Sequence, residues 1–167
     1  NLKVISLSKG LNINLSGEPD KVYANIPKSK TFCVRPTDFH NLTPKMVVKE
    51  GDKVKAGSCL FFDKYDERIR FSSPVSGEVT EIVRGAKRRI MEVKITADSE
   101  ANYEIFSLDA KASREQVVKG LLESGVWPFI RQKPFDTIAN PSDNPKAIFI
   151  STFDTAPLAP DNDFVLH

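Results

Sequence analysis

The sequence predicts a mainly β, α+β protein: a flattened β-barrel of two similar half-motifs, followed by the start of an α/β domain. Three observations carry this. The stretch from Met46 to Val83, MVVKEGDKVKAGSCLFFDKYDERIRFSSPVSGEVTEIV, reads twice as short strand, glycine-containing turn, short strand. Beyond Asn102 the period changes, and Val117, Val118, Leu121 and Leu122 fall at helical spacing. Lys146-Ala147-Ile148-Phe149-Ile150-Ser151 is then a short apolar run of the kind buried on both faces of a sheet. The barrel domain is expected over residues 1–100, with flanking N-terminal strands, and the truncated α/β domain over 103–167.

The first half-motif is Val47-Val48, the turn Glu50-Gly51-Asp52, Val54, Gly57 and the run Leu60-Phe61-Phe62. The second is Ile69, Phe71, Ser73-Pro74, Gly77, Val79 and Ile82-Val83. Gly51, Gly57 and Gly77 stand where tight turns need a residue without Cβ, and Pro74 where a missing N–H costs least. The expected core is Val48, Val54, Leu60, Val79, Ile82, Val93 and Ile95. This pattern resembles the biotinyl/lipoyl-type domain, the barrel-sandwich hybrid. The resemblance implies either a swinging cofactor on a lysine or a rigid structural module. A carrier lysine would lie on the hairpin Asp63-Lys64-Tyr65-Asp66-Glu67-Arg68. Tyr65, Asp66 and Glu67 do not resemble the small or apolar residues that follow a carrier lysine, and the segment to Ser73-Pro74 is longer than in carriers. A structural module is the expectation, with a carrier domain modified on Lys64 as the alternative.

Composition sets the class. Apolar residues make up 40% and charged residues 28% of 167, an ordinary globular balance. With 24 basic and 22 acidic side chains the net charge is +2, which gives no argument for nucleic acid. No apolar run approaches the ~18 residues a membrane span needs. Residue 1 is not Met, so a native start is read as trimmed. Cys33 and Cys59 form no CxxC, and His40 and His167 have no metal-ligand spacing. No metal site is expected, and a reducing cytoplasmic setting fits. No catalytic arrangement of Ser/His/Asp or Cys/His and no phosphate-binding glycine motif is visible, so no catalytic residue is assigned.

In chain order, Leu2–Leu7 alternates as a strand, and residues 8–15 carry a turn and a second alternating run, broken at Ser16-Gly17-Glu18-Pro19. Val22-Tyr23 and Thr31–Val34 are further strand candidates. Pro36-Thr37-Asp38-Phe39 and Leu42-Thr43-Pro44 are loops into the barrel. Beyond Val83, Arg84-Gly85-Ala86-Lys87-Arg88-Arg89 separates two alternating runs, as a hairpin with four cations at its tip. Such a tip is either a solvated turn or a surface facing anionic lipid or an acidic partner. Ala97–Asn102 is polar and marks the expected boundary. Ser113 with Gln116 reads as a capping box, and Gly125 as the helix stop. Trp127-Pro128-Phe129-Ile130 is an apolar turn, and Phe164-Val165-Leu166 a last apolar run. One helix and two or three strands cannot cover both faces of a buried strand, so the chain is expected to be a fragment of a longer protein.

Four segments are similar to the A subunits of the bacterial sodium-translocating NADH:quinone oxidoreductases. They are Lys9-Gly10-Leu11 with Ser16–Pro19; Ser73–Val79 through Arg88; Trp127-Pro128-Phe129-Ile130-Arg131-Gln132-Lys133-Pro134-Phe135; and Asp154–Asp161. The resemblance implies a peripheral subunit on the cytoplasmic face of the bacterial inner membrane, held by the other subunits of a respiratory sodium pump. NADH and ubiquinone would be substrates of the whole complex, with no cofactor bound by this fragment. The α/β portion more distantly resembles a flavin-binding subunit of respiratory NADH dehydrogenases, whose glycine-rich turn cradles phosphate. The corresponding place, Leu121–Pro128, keeps one glycine and adds Glu123 where phosphate would sit, which argues against flavin and NADH. A related iron–sulfur subunit would need cysteine-rich runs that this chain lacks. Asp154 and Asp161 are read as turn residues rather than a sodium site.

If a quinone is bound, it needs apolar walls and one or two donors. Trp127, Phe129 and Phe135 offer walls, and Arg131, Gln132 and Lys133 offer donors, within nine residues. The quinone-binding candidates are therefore Trp127, Phe129, Arg131 and Phe135, in an apolar cleft. The competing reading makes Trp127 and Phe129 core plugs and leaves the cations solvated.

Overall fold

In this computed structural model the described residues are 5–6, 16–17, 20–150, 159 and 164. They fall into two units, Lys28–Asn144 and the pair of segments Asn1–Pro27 and Pro145–His167.

In the larger unit, strands β1 (Thr31–Val34), β2 (Pro44–Met46), β3 (Lys53–Val54), β4 (Cys59–Asp63), β5 (Asp66–Ser72), β6 (Gly77–Arg84) and β7 (Ile90–Ala97) form two antiparallel sheets. One has the order β1-β7-β6-β3, the other β2-β4-β5. Their inner faces make the core: Val54, Leu60, Phe61, Ile69, Phe71, Val79, Ile90, Val93 and Ile95 are buried. Of the expected core, Val48 and Ile82 lie at the margin, packed against it. Strict alternation fails at Leu60-Phe61, where two consecutive residues are fully buried. The cause is a register shift between Cys59 and Phe61, a bulge that turns both inward. The Leu60 carbonyl accepts from the amides of both Val47 and Val48. The expected strand at Val47-Val48 is thereby displaced to β2, and Val47 is exposed.

The glycines serve two ends. Gly51 takes a left-handed φ of 89° in its turn, and its amide donates to the Val79 carbonyl at 2.8 Å, joining the two half-motifs. Gly77 lies inside β6 instead, where a Cβ would run into the carbonyl of Thr96 on β7. The β6–β7 hairpin closes through a 3-10 turn at Ala86–Arg88, with Lys87 (φ 53°) and Arg88 (φ 61°) both left-handed.

After β7 the chain is strapped to the barrel. The hydroxyl of buried Ser76 donates to the Glu100 carbonyl and accepts from the Asn102 amide at 2.9 Å. Ala56 and Glu104 continue the strap, the amide of Ala56 donating to Asn102 and that of Glu104 to Ala56. Helix α1 (Arg114–Glu123) follows. Its capping box is formed: the Ser113 amide donates to Gln116 Oε1 at 2.7 Å and Ser113 Oγ accepts from the Gln116 amide. Val118, Leu121 and Leu122 join the barrel core. Gly125, φ 74°, ends the helix against Ser72 of β5, whose hydroxyl occupies the space a Cβ would need. The Ser72 hydroxyl also donates to the Ser124 carbonyl at 3.2 Å. A 3-10 turn at Trp127–Phe129 leads to a small ribbon of β8 (Arg131–Gln132) and β9 (Thr137–Ile138).

In the second unit, Val22-Tyr23 is not a strand. Hydrogen bonds from Val22 to Asp20 and from Ile26 to Ala24 fold the backbone into tight turns instead of leaving it for a ladder. The Tyr23 ring stacks on Phe164 with centroids 4.7 Å apart, and its hydroxyl donates to the Phe164 carbonyl at 2.7 Å. Ile148-Phe149-Ile150, expected as a buried strand, is exposed and unpaired with any other described strand. Apolar composition alone does not make a strand; a partner ladder does. The expected elements at Leu2–Leu7 (save Ile5 and Ser6), at residues 8–15 and at Val165-Leu166 lie outside the described residues, as do Asp154, Pro157, Pro160 and Asp161.

Candidate functional site

The residues expected to meet a quinone come from one short segment, and the fold sends them in different directions. Pro128, fully buried, fixes the 3-10 turn. One side of that turn drives Trp127 into the core, where it is 7% exposed. Its indole Nε1 donates to the Ala139 carbonyl at 2.7 Å, so its polar handle is already used. The other side leaves Phe129 outside, 70% exposed. Phe135, 73% exposed, stands in the β8–β9 loop and touches no other described ring.

Phe129 does not stand alone. Its ring lies edge-on to Phe39, 5.9 Å between centroids and 66° between planes. Phe39 in turn meets Phe71 edge-on at 4.7 Å, and Phe71 stacks on Phe61 at 4.7 Å. Four rings thus run from the barrel core to the surface. The Arg131 guanidinium sits over Phe39, 5.5 Å from the ring centroid, and donates through one Nη to the Asp136 carbonyl at 3.2 Å. Lys133 Nζ meets Asp136 Oδ1 at 2.7 Å, and that bond holds the Asp136 carboxyl below its ordinary range. Phe129, Phe39 and Arg131 therefore converge, whereas Trp127 and Phe135 do not join them. Together the three converging residues make an aromatic shelf, with Phe129 exposed at its outer end. Phe39 escaped sequence reasoning because it sits in a loop ninety residues upstream; only its place beside Pro36, a 3-10 turn former, hinted at order there.

Other candidate positions are also placed. Lys64 lies exposed in the two-residue turn between β4 and β5, its amide donating to Thr43 at 2.8 Å. Cys33 and Cys59 are both free, and partial burial pushes the Cys59 thiol pKa up, away from reactive thiolate. The place that would answer to a flavin-phosphate turn is the last turn of α1, where Gly125 is pressed against Ser72 and Leu122 is buried in the core. Among the described residues no group of three His, Cys, Asp or Glu is placed to hold a metal ion, and no helix is long and apolar enough to cross a membrane. A shallow polar cleft is lined by Asp98, Ser99, Glu100, Ala101 and Asn102.

Two family models match the chain. The NqrA N-terminal barrel-sandwich hybrid domain covers residues 5–98, and the NqrA second alpha/beta domain covers 112–167. Relatives named as A subunits of the Na(+)-translocating NADH-quinone reductase include that of Marinomonas sp. (strain MWYL1), 37% identical over 164 residues, which are 96% of this chain and 37% of the relative. Those of Photorhabdus laumondii and Pseudomonas aeruginosa (strain UCBPP-PA14) are each 34% identical over 167 residues, 98% of this chain and 37% and 38% of theirs. The chain thus spans less than two fifths of the length of these relatives. On two domain models in register with its barrel and its helical segment, the chain belongs to the NqrA family.

Proposed function

We propose that this chain is part of a peripheral, cytoplasm-facing subunit of a sodium-pumping NADH:quinone oxidoreductase, held by the other subunits of that complex. Within it, the barrel is a rigid module and the shelf of Phe39, Phe129 and Arg131 is where a quinone headgroup lies. Membership of the NqrA family over nearly the whole chain supports the subunit reading. The observation that carries the quinone reading is Phe129. A large ring left 70% exposed, yet ordered by Phe39 beneath it, offers a flat apolar face at little entropic cost. Arg131, beside it, supplies a donor for a quinone oxygen. No flavin site is assigned to this segment. Gly125, the one glycine of the turn, is committed to packing on Ser72, and Glu123 adds a negative charge there.

The test is a titration of short-chain quinone into the full-length protein, followed through Trp127, the one tryptophan of this chain, with a variant lacking it as the background. Phe129→Ala and Arg131→Gln are expected to weaken binding roughly tenfold each, the loss of one stacking face or one hydrogen bond to a charged donor. Saturable binding that neither substitution weakens would move the quinone elsewhere. No binding at all would leave this chain a scaffold for its complex.

A further inference from the structure

We propose that the tip of the β6–β7 hairpin is a docking point for an anionic phospholipid surface. Arg84, Lys87, Arg88 and Arg89 lie within six residues, and all four are exposed. None of them has an ion-pair partner among the described residues. The three carboxylates on the flanking strands cannot serve, because all are taken. Glu78, at the far end of β6, is held by Lys53 at 3.1 Å. Glu81 is held by Lys94 at 2.7 Å and Glu92 by Arg35 at 3.0 Å. Those pairs cancel, and the tip keeps four positive charges on a chain whose net charge is only +2.

The tip is also built. The Gly85 amide donates to the Arg89 carbonyl at 2.7 Å, and the amides of Arg88 and Arg89 donate back to Gly85 and Ala86. Met91 folds over Gly85, its Cγ and Sδ 3.1 Å from where a Cβ would stand. Lys87 and Arg88 both hold left-handed backbone, which Asn or Gly would adopt at lower cost. Backbone strain is thus spent on keeping two long cations at consecutive positions, and such spending is a mark of use.

The kind of partner follows from what the tip lacks. With Met91 folded back, Ala86 is the only apolar side chain it presents. A protein interface needs an apolar or aromatic centre, a single nucleic-acid strand needs rings to stack on, and a chain of net charge +2 gives no argument for a duplex. A layer of anionic headgroups needs neither. It takes a narrow cationic point, each Lys or Arg adding about fivefold to partitioning at low salt. The inference rests on the charge and geometry of the tip, and stands or falls apart from the quinone shelf.

The experiment is co-sedimentation of the full-length protein with phosphatidylcholine vesicles, with and without phosphatidylglycerol. Two double variants are compared, Lys87→Asn with Arg88→Asn, and Arg84→Gln with Arg89→Gln. Asn tolerates left-handed backbone, so the first pair removes charge without adding strain. Unchanged circular dichroism and melting temperature certify the fold. Binding is expected only to the phosphatidylglycerol vesicles, to weaken with salt, and to fall roughly 25-fold in each double variant. Binding independent of phosphatidylglycerol, or unchanged in both variants, overturns the proposal. So does a polyglutamate peptide that binds more tightly than the vesicles at equal charge concentration, which would make the partner an acidic protein segment.

Discussion

The indole of Trp127 and the carbonyl of Ala139 hold each other across the turn and the β8–β9 ribbon, at 2.7 Å. Trp127 is thereby a strut of the larger unit, buried and with its one donor already used. Trp127→Ala is expected to cost about 3–5 kcal/mol by loss of buried ring area and the cavity left behind. Trp127→Phe keeps most of the volume but orphans the carbonyl, at about 1–3 kcal/mol. Urea unfolding measures both, and a loss below ~1 kcal/mol for the alanine variant would contradict the strut.

Asp66 and Arg68 give the unit an acid-sensitive contact. The Asp66 carboxylate accepts from Arg68 Nε at 2.9 Å and Nη2 at 2.7 Å, a bidentate pair that holds its pKa below the ordinary value. A carboxyl lowered by folding stabilises the fold above its unfolded pKa of about 4, and that contribution is lost as pH falls through the lowered value. Half of the Arg68 side chain is exposed, so the pair is worth at most about 1 kcal/mol. Asp66→Asn should melt lower than the parent at pH 7, with the gap closing in stronger acid. A gap independent of pH would show that the pair does not titrate with folding.

Lys64 is the position that would turn the barrel into a carrier. It is exposed, but its neighbours are fixed: the Tyr65 amide donates to Asp63 Oδ1 at 3.2 Å, and Tyr65 stands in solvent. An unmodified chain is expected. Intact-mass measurement on protein from its native host should show no addition of lipoyl or biotin size, and an addition mapped to Lys64 would restore the carrier reading.

We propose that the boundary between barrel and following domain lies in the segment from Ile105 to Lys111. The sequence pointed to Asp98–Asn102, where polar residues cluster, but Ser76 clasps that stretch. Ile105, by contrast, is 91% exposed, and Leu108 is half exposed. Protease needs extended, unbonded backbone, so within Lys28–Asn144 the first cut should fall between Ile105 and Lys111. A first cut at Asp98–Asn102, read by fragment masses, would return the boundary there.

What the sequence disclosed depended on the range of the interactions involved. The capping box at Ser113 and Gln116, the helix stop at Gly125 and the left-handed turn at Gly51 are local, and each stands where its residues say. Core positions such as Leu60, Val79 and Val93 followed from period, because a half-buried strand can satisfy only one register. The bulge that buries Phe61 beside Leu60 was not visible, since it depends on the pairing partner. Nor was the role of Gly77, which answers to the Thr96 carbonyl across the sheet. At the candidate site, the nearness of Phe129 and Arg131 was legible in the sequence. That Phe39 packs beside them and that Trp127 is buried was not, because Phe39 is ninety residues away and burial is decided by the turn at Pro128. Ile148-Phe149-Ile150 was read from composition, without a neighbour to pair with.

Of the four edge strands of the two barrel sheets, three are short: β1 has four residues, β2 three and β3 two. The fourth, β5, has seven. It is against β5 that α1 packs, with Gly125 pressed on Ser72 and the Ser72 hydroxyl bound to Ser124. The helix that opens the next domain is thus also the cover of the barrel's longest free edge. A barrel cut before the helix would present seven residues of strand to any passing copy, an invitation to self-association that the longer chain withholds.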